Sequence, residues 1–420
     1  MSASEAAVAA GRAAASGTAS IESRASWLAA LAALGIMSVT LGAPFVAIVG
    51  LKPIAAEFGS ARSVVALAAS FSWLGAAFGG IVMGPVAERL GVRRTVIFGA
   101  LMIAAGLVLA ASGGALALLV AHGIFIGMLG SGAINAPLYV YVCRWFDRRL
   151  GSAIALISSG AYVAGAIWPE IFQYAMAGFG WRATMQAFAA LECVVVVPGA
   201  AILLRAPPAV RGTATASAAR VGARVLGLPS NGITAMLLAA GFCCCVTMSM
   251  PQAHLVAFCG DLGISPAAGA GMLSVLLASA FCARQFWGWV ADRLGGLRAA
   301  FGASVCQAVA MTAFLFTQSE AGLFAVSAAF GLGFSGIVPA YIVAIGQLFP
   351  PSQAAMRVPL QLLFSGMGMA FGSWSAGALY DAYGFYAPGF ALGLGFNVLN
   401  LAILAMLVLL SARDGRRRPG

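Results

Sequence analysis

Arg284 lies in the middle of an apolar run, residues 267–290, eight residues before Asp292 of the charged turn Gly288-Trp289-Val290-Ala291-Asp292-Arg293-Leu294-Gly295. If the run is a membrane helix, a rise of about 1.5 Å per residue puts Arg284 about 12 Å from the turn, approaching the midplane of a hydrocarbon slab about 30 Å thick. A guanidinium at that depth costs about 3 kcal/mol unless it faces protein or a water-filled pathway. Two chemistries relieve the cost. A bound carboxylate matches the planar fork of N–H donors, or helix-end carbonyls accept from the arginine and make it structural. The spacing predicts the first, an anion-binding arginine.

Other polar residues recur with helical period inside apolar runs. Gln361, Ser365, Gly368, Gly372 and Ser375 fall on one stripe, and Gly123, Gly127, Ser131, Asn135 and Tyr139 on another. The glycines on these stripes serve close helix packing. Asn135, Tyr162, Gln361, Ser365 and Tyr341 are the expected substrate-binding partners of Arg284. Three ionisable groups in or near apolar runs are candidates for proton coupling: Glu192, Glu170 and His254. No cofactor and no metal site is expected. Cys243, Cys244 and Cys245 are consecutive, so on a helix they point about 100° apart and cannot converge on an ion. There is no phosphate-cradling loop, HExxH or nucleophile–base pattern, so the chain is not read as an enzyme.

The elements that must position these residues follow from composition. The 420 residues are 62% hydrophobic and 8% charged, with a mean hydropathy of +0.98, against about 25% charged in soluble domains. The periodicity predicts twelve membrane helices, at approximately 27–50, 64–87, 95–112, 115–141, 150–174, 183–204, 232–256, 267–290, 298–317, 321–347, 356–379 and 386–411. The net charge of +11 is no nucleic-acid signature, because the arginines cluster in short loops between the runs. Of 23 basic residues, only Lys52, Arg62 and Arg182 fall on the side opposite the arginine-rich loops, and Arg284 is inside the membrane. The positive-inside asymmetry therefore predicts both termini cytoplasmic, in the cell's inner (plasma) membrane.

Residues 1–26, rich in Ala, Ser and Gly and too polar for a secretory signal, are expected to be a disordered cytoplasmic tail. Residues 27–206 form one six-helix block, 207–231 a small polar linker, 232–411 a second block, and 412–420 a basic tail.

The two blocks repeat each other. Gly84-Pro85-Val86-Ala87-Glu88-Arg89-Leu90-Gly91-Val92-Arg93-Arg94 and Gly288 to Arg298 share the pattern G-x-V-A-acid-R-L-G-x-x-R at the same topological position. The pair resembles the cytoplasmic loop signature of the major facilitator superfamily. That resemblance implies an all-α membrane protein of two pseudo-symmetric six-helix bundles around a cavity that opens alternately to each side. An acid at a cytoplasmic helix end can accept from arginines and from the first N–H groups of a helix in the other half. Glu88 with Arg144 and the start of the eleventh span, and Asp292 with the start of the fifth, are accordingly expected to gate the cytoplasmic side, with Arg89 and Arg293 in the same gating set.

A second resemblance narrows the substrate. Arg144-Trp145-Phe146-Asp147-Arg148-Arg149, continuing through Gly151, Ala153 and Ala155 to Ser158, Ser159 and Gly160, is similar to the entry to the fifth helix of monocarboxylate transporters and bacterial oxalate–formate-type antiporters. Pro251-Gln252-Ala253-His254, Asp261-Leu262-Gly263-Ile264-Ser265 and Ala283-Arg284 follow the order of the seventh and eighth helices of that group, where an eighth-helix arginine pairs with the substrate carboxylate. Three departures matter, one being that the lysine of the oxalate-type antiporter's eleventh helix is absent here. The aspartate that animal proton-coupled carriers hold one turn before the arginine is Ala280 here, and the first span has no lysine, Lys52 lying at its outer end.

The expectation is a secondary active or facilitative transporter of small organic anions, most fittingly monocarboxylates. Protons or a counter-anion would be its coupling partners, the lipid bilayer its surroundings, and a monomer or weak dimer its form, with no nucleic-acid partner. The alternatives are an exporter of amphipathic compounds, for which Arg284 would be structural, and a non-transporting membrane sensor, which would be expected to carry an added soluble domain or long ordered tail.

Overall fold

The computed structural model describes residues 22–146, 149–205 and 224–417. Long apolar runs fold as helices because lipid offers no partner to a backbone N–H or C=O, and the helix satisfies both within one segment. The helices are α1 (Arg24–Thr40), α2 (Ala43–Val49), α3 (Leu51–Phe58), α4 (Arg62–Leu90), α5 (Val92–Ser112), α6 (Ala115–Val120), α7 (Gly132–Cys143), α8 (Leu150–Ser158), α9 (Gly160–Leu191), α10 (Val197–Leu203), α11 (Ser230–Asp261), α12 (Pro266–Leu294), α13 (Gly296–Phe316), α14 (Glu320–Phe334), α15 (Ile337–Leu348), α16 (Pro351–Tyr383) and α17 (Ala387–Arg417). Two wider-wound π-helical stretches, Ala121–Ser131 and Glu192–Val196, interrupt the fourth and sixth expected spans.

Ten helical stretches among the described residues are long and apolar enough to cross a membrane. One of them, Ser152–Leu203, is 52 residues long and turns at Gly180, whose φ of 78° is left-handed, so two expected spans meet there. The 33-residue α16 is not among the ten, because Gln361, Ser365, Ser373 and Ser375 dilute its apolar character. In both copies of the repeated loop the helix ends at a glycine with φ 84°, Gly91 and Gly295. A side chain is strained there, which is why the shared pattern carries glycine at that place.

Several expected boundaries move. Helix α1 begins at Arg24, inside the segment read as a tail, because the Ser26 hydroxyl accepts from the Ser23 N–H at 3.1 Å and caps the helix start. Helix α17 runs on to Arg417, past the expected end at 411, since a helix leaving lipid keeps its own backbone ladder in water. Residues 224–229 of the expected linker include a small antiparallel ribbon, Arg224–Val225 with Leu228–Pro229. The rest of the expected tails and linker, 1–21, 206–223 and 418–420, lies outside the described residues.

The helices pack in two sets. Helices α1 to α10 pack among themselves, as do α11 to α17, and the sets meet along α4 with α16, α9 with α12, and α2 with α11. Glycine sets how closely neighbours approach: a Cβ at Gly79 would stand 2.1 Å from the Met128 carbonyl oxygen, backbone against backbone. Gly79→Val should therefore lower the yield of monodisperse protein and cost roughly 3 kcal/mol, the upper end for overpacking. Gly84, with nothing within 4 Å of an added Cβ, should accept alanine without loss. Size-exclusion profiles and thermal melts of the two variants check this, and equal behaviour would remove the packing argument.

Candidate functional site

Arg284 points from α12 toward the other set of helices. Its Nη1 donates to the Ser158 carbonyl oxygen at 3.1 Å. That carbonyl is available because the helix breaks at Ser159: the Tyr162 N–H, which a continuous helix would give to Ser158, bonds the Ser159 carbonyl instead. The guanidinium carbon stands 5.0 Å from the centre of the Tyr162 ring, within cation–π range. Tyr162 packs edge-on against Phe334 at 5.9 Å, and Tyr139 shares the neighbourhood of Arg284, Tyr162 and Ser158. A guanidinium has five N–H groups and one is used here, so the remaining donors are available to a ligand.

Three further expected residues hold polar atoms that are buried and unpartnered by protein. They are the Oδ1 of Asn135, one turn from Tyr139 on α7, both amide atoms of Gln361, and the hydroxyl of Ser365. Gln361 lies against Gly241 of α11, where a Cβ would come within 1.8 Å of its Nε2. Buried polar atoms are normally satisfied, so these can bind water or a ligand. None of the three bonds Arg284. Tyr341 is placed differently: its hydroxyl donates to Asn400, which donates to Ser304 at 2.9 Å, tying α15, α17 and α13 together.

The coupling candidates occupy three separate places. Glu192 is fully buried in its π-helical stretch against α1 and α5, with both carboxyl oxygens unpartnered. Glu170 lies at the α9–α12 contact, its Oε1 2.7 Å from where a Cβ of Gly271 would be. His254 is fully buried, with Nε2 2.7 Å from the Ser373 carbonyl oxygen and Nδ1 3.2 Å from the Tyr386 hydroxyl. Among the described residues, no group of three or more His, Cys, Asp or Glu could hold a metal ion.

The two faces differ. On the face bearing the repeated loops, Glu88, Arg89, Asp292 and Arg293 are exposed, and neither acid makes an ion pair among the described residues. Arg293 instead covers the Trp289 ring at 4.1 Å, and Arg144 is half-buried. On the opposite face the two sets are tied together. Asp261 accepts from Lys52 at 2.8 Å and from both Nη atoms of Arg62, one of them at 2.8 Å. Asp381 of α16 accepts the backbone N–H groups of Arg62 at 3.0 Å and Ser63 at 2.9 Å, capping α4 from the other set. Nearby, the Arg182 guanidinium and Trp181 N–H hold the Glu57 carboxyl below the usual carboxylate range.

Sequence reasoning treated Lys52 and Arg62 only as markers of orientation and missed this tie. Their partners Asp261 and Asp381 stand roughly 200 and 320 residues away in the chain, and nothing local links them. Tyr139 was legible on the Asn135 stripe. His122, buried at the start of the first π-helical stretch with Nδ1 3.0 Å from the Leu118 carbonyl oxygen, carries no neighbouring motif that would have drawn attention to it.

The sequence matches the Major Facilitator Superfamily over residues 27–319 and 236–420. It is 26% identical over 320 residues to "MFS-type transporter pynF" of Aspergillus niger, covering 73% of this chain and 71% of that protein. It is 25% identical over 360 residues to "Monocarboxylate transporter 13" of Bos taurus, covering 81% of this chain and 80% of that protein. Among solved structures, a mutant of the nucleoside transporter NupG superposes with a TM-score of 0.71 at 14% identity, over 91% of this chain and 99% of that one. A bacterial homolog of the human lysosomal transporter Spinster, in an inward-facing and occupied conformation, superposes with a TM-score of 0.69 at 16% identity, over 93% and 98%.

Proposed function

This chain belongs to the Major Facilitator Superfamily, and we propose that within it the protein carries small organic anions, monocarboxylates above all, by alternating access around Arg284. The observation that carries the reading is a guanidinium deep in a membrane helix with one N–H committed to Ser158 and Tyr162 beneath it. A carboxylate takes two parallel N–H bonds from the open edge of such a fork. One site cation suits a monoanion, because the second carboxylate of a dianion would be desolvated without a partner. Asn135, Gln361 and Ser365, with Tyr139, supply the hydrogen bonds that orient the rest of the molecule. The relative named as a monocarboxylate transporter supports the same substrate class.

In this reading the arginine-rich face is cytoplasmic, the membrane is the plasma membrane, and residues 27–206 and 232–411 are the moving bundles. The tie of Lys52, Arg62, Asp261 and Asp381 closes the outer side, and the unpaired, exposed Glu88 and Asp292 fit a cytoplasmic side that is open. Among the described residues those two acids make no ion pair in this state, so any latch they form, with Arg89, Arg144 or Arg293, belongs to the outward-open state. Glu88→Ala and Asp292→Ala should therefore shift the population further toward inward-open and slow transport. Labelling of Ser365→Cys from the cytoplasmic side, in a background cleared of the native cysteines, measures this, and unchanged labelling with normal turnover would leave these loops a purely topological role.

Ligand-induced thermal stabilisation of the purified protein tests the substrate class. Small monocarboxylates should raise the melting temperature, while their uncharged amides and dicarboxylates of equal length should not. Stabilisation by the amides would contradict recognition through charge. The Arg284–Ser158 bond also favours a second reading, an exporter of amphipathic compounds with a structural arginine. That carrier would be stabilised by large apolar compounds and indifferent to carboxylates.

A further inference from the structure

We propose that His254 couples proton binding to the opening of the face closed by Lys52, Arg62, Asp261 and Asp381. The starting point is donor and acceptor counting. A carbonyl oxygen only accepts, so the 2.7 Å contact to Ser373 places the hydrogen of a neutral imidazole on Nε2. Nδ1 then holds a lone pair, and the Tyr386 hydroxyl, 3.2 Å away, must donate to it. With its hydrogen so used, the Tyr386 oxygen accepts from Arg62 Nη1 at 3.2 Å. The bonds run in one direction, Arg62 to Tyr386 to His254 to the Ser373 carbonyl, and every donor has an acceptor. The chain joins α4 of one helix set to three elements of the other.

A proton on Nδ1 breaks this order. Nδ1–H then faces the Tyr386 oxygen from one side and the Arg62 guanidinium faces it from the other, while the tyrosine's own hydrogen loses its acceptor. The imidazolium also repels Arg62. The remaining charged and titratable groups around it are Lys52 on α3, Asp261 at the end of α11, and Tyr380 and Asp381 on α16. They do not relieve the conflict: Asp261 is shared by Lys52 and Arg62, Asp381 is held by the two α4 N–H groups, and the Tyr380 ring carries Arg62 at 3.8 Å. Withdrawal of Arg62 relieves it, and when the start of α4 moves away to carry the guanidinium out, the Arg62 and Ser63 N–H groups on that same turn leave Asp381 and this face opens. The closed face thus prefers a neutral His254, the open and hydrated one accepts the proton, and by linkage acid shifts the population toward open.

This inference rests on the alternating-access reading for its purpose and not on the substrate. It can therefore be tested with no carboxylate present. The amides of Arg62 and Ser63, held by Asp381, report the latch directly. Hydrogen exchange of the full-length protein in nanodiscs is followed at about pH 7.5 and about pH 5.5, across the histidine range, and corrected for intrinsic exchange rates. Protection of the α4 start should fall several-fold at the lower pH, as linkage gives when the open state binds the proton more tightly than the closed one. His254→Gln can donate to Ser373 and accept from Tyr386 as the neutral imidazole does, so its protection should not change with pH. Tyr386→Phe should also abolish the pH response, and it decides the matter if the glutamine variant does not fold. Wild-type protection that ignores pH, or a full response retained in either variant, overturns the proposal. Failure of the carboxylate reading in the melting experiment would leave this outcome unaffected.

Discussion

Arg284→Ala should abolish carboxylate uptake into proteoliposomes while leaving a monodisperse protein. In the proposed site the interaction removed would be a charge-assisted pair shielded from water, worth about 2 to 5 kcal/mol, so uptake should fall between about thirtyfold and about a thousandfold or more. Arg284→Lys should retain little, because an ammonium is a point charge and lacks the bidentate fork. Arg284→Ala also removes the donor to the Ser158 carbonyl. That loss bears on the break between α8 and α9, and water entering from the substrate path can replace it. The two roles of Arg284 separate in one experiment. Near-normal uptake by the alanine variant would remove the anion site, and a variant that fails to fold would make the arginine structural.

The second large effect concerns energy coupling. With Ala280 one turn before Arg284 and no lysine in the first span, the carrier should exchange anions or let them equilibrate more readily than concentrate them with protons. Counter-anion inside the vesicles should accelerate uptake several-fold, whereas an imposed inward proton gradient should give little accumulation above equilibrium. If accumulation does occur, Glu192 and Glu170 are the first carriers to remove. Glu192 is fully buried and both its oxygens are unpartnered, which leaves it free to bind and release a proton if the packing of α1 and α5 loosens. Accumulation that survives removal of both glutamates would assign the proton to another site, and His254 is the next to test.

Much of the fold was legible because lipid imposes one solution on the backbone, and apolar length reports it. The repeat was equally readable: Gly91 and Gly295 are left-handed in both copies, a conformation that selects glycine locally. Helix interruptions were less visible. The break at Ser159 falls on Ser158-Ser159-Gly160 and the π-helical stretch 121–131 holds Gly123, Gly127 and Gly130, residues that weaken a helix without fixing where it yields, so packing of neighbouring helices decides the place. Within the candidate site, Arg284 stood out because its cost in hydrocarbon is large, and Asn135, Gln361 and Ser365 were found by helical spacing. The tie through Asp261 and Asp381 was not, because ion pairs between distant segments leave no period in the chain. Tyr341 shows the reverse case, a polar residue in an apolar run whose hydroxyl serves packing through Asn400.

The central claim, that the chain moves small monocarboxylates through Arg284, is tested most directly by exchange. Purified wild-type protein is reconstituted with a labelled monocarboxylate outside and excess unlabelled monocarboxylate, dicarboxylate or uncharged amide inside. The account predicts rapid entry of label driven by the internal monocarboxylate, little with the dicarboxylate and none with the amide. Exchange that is equally fast with the amide, or that persists when Arg284 is replaced by alanine, would contradict it.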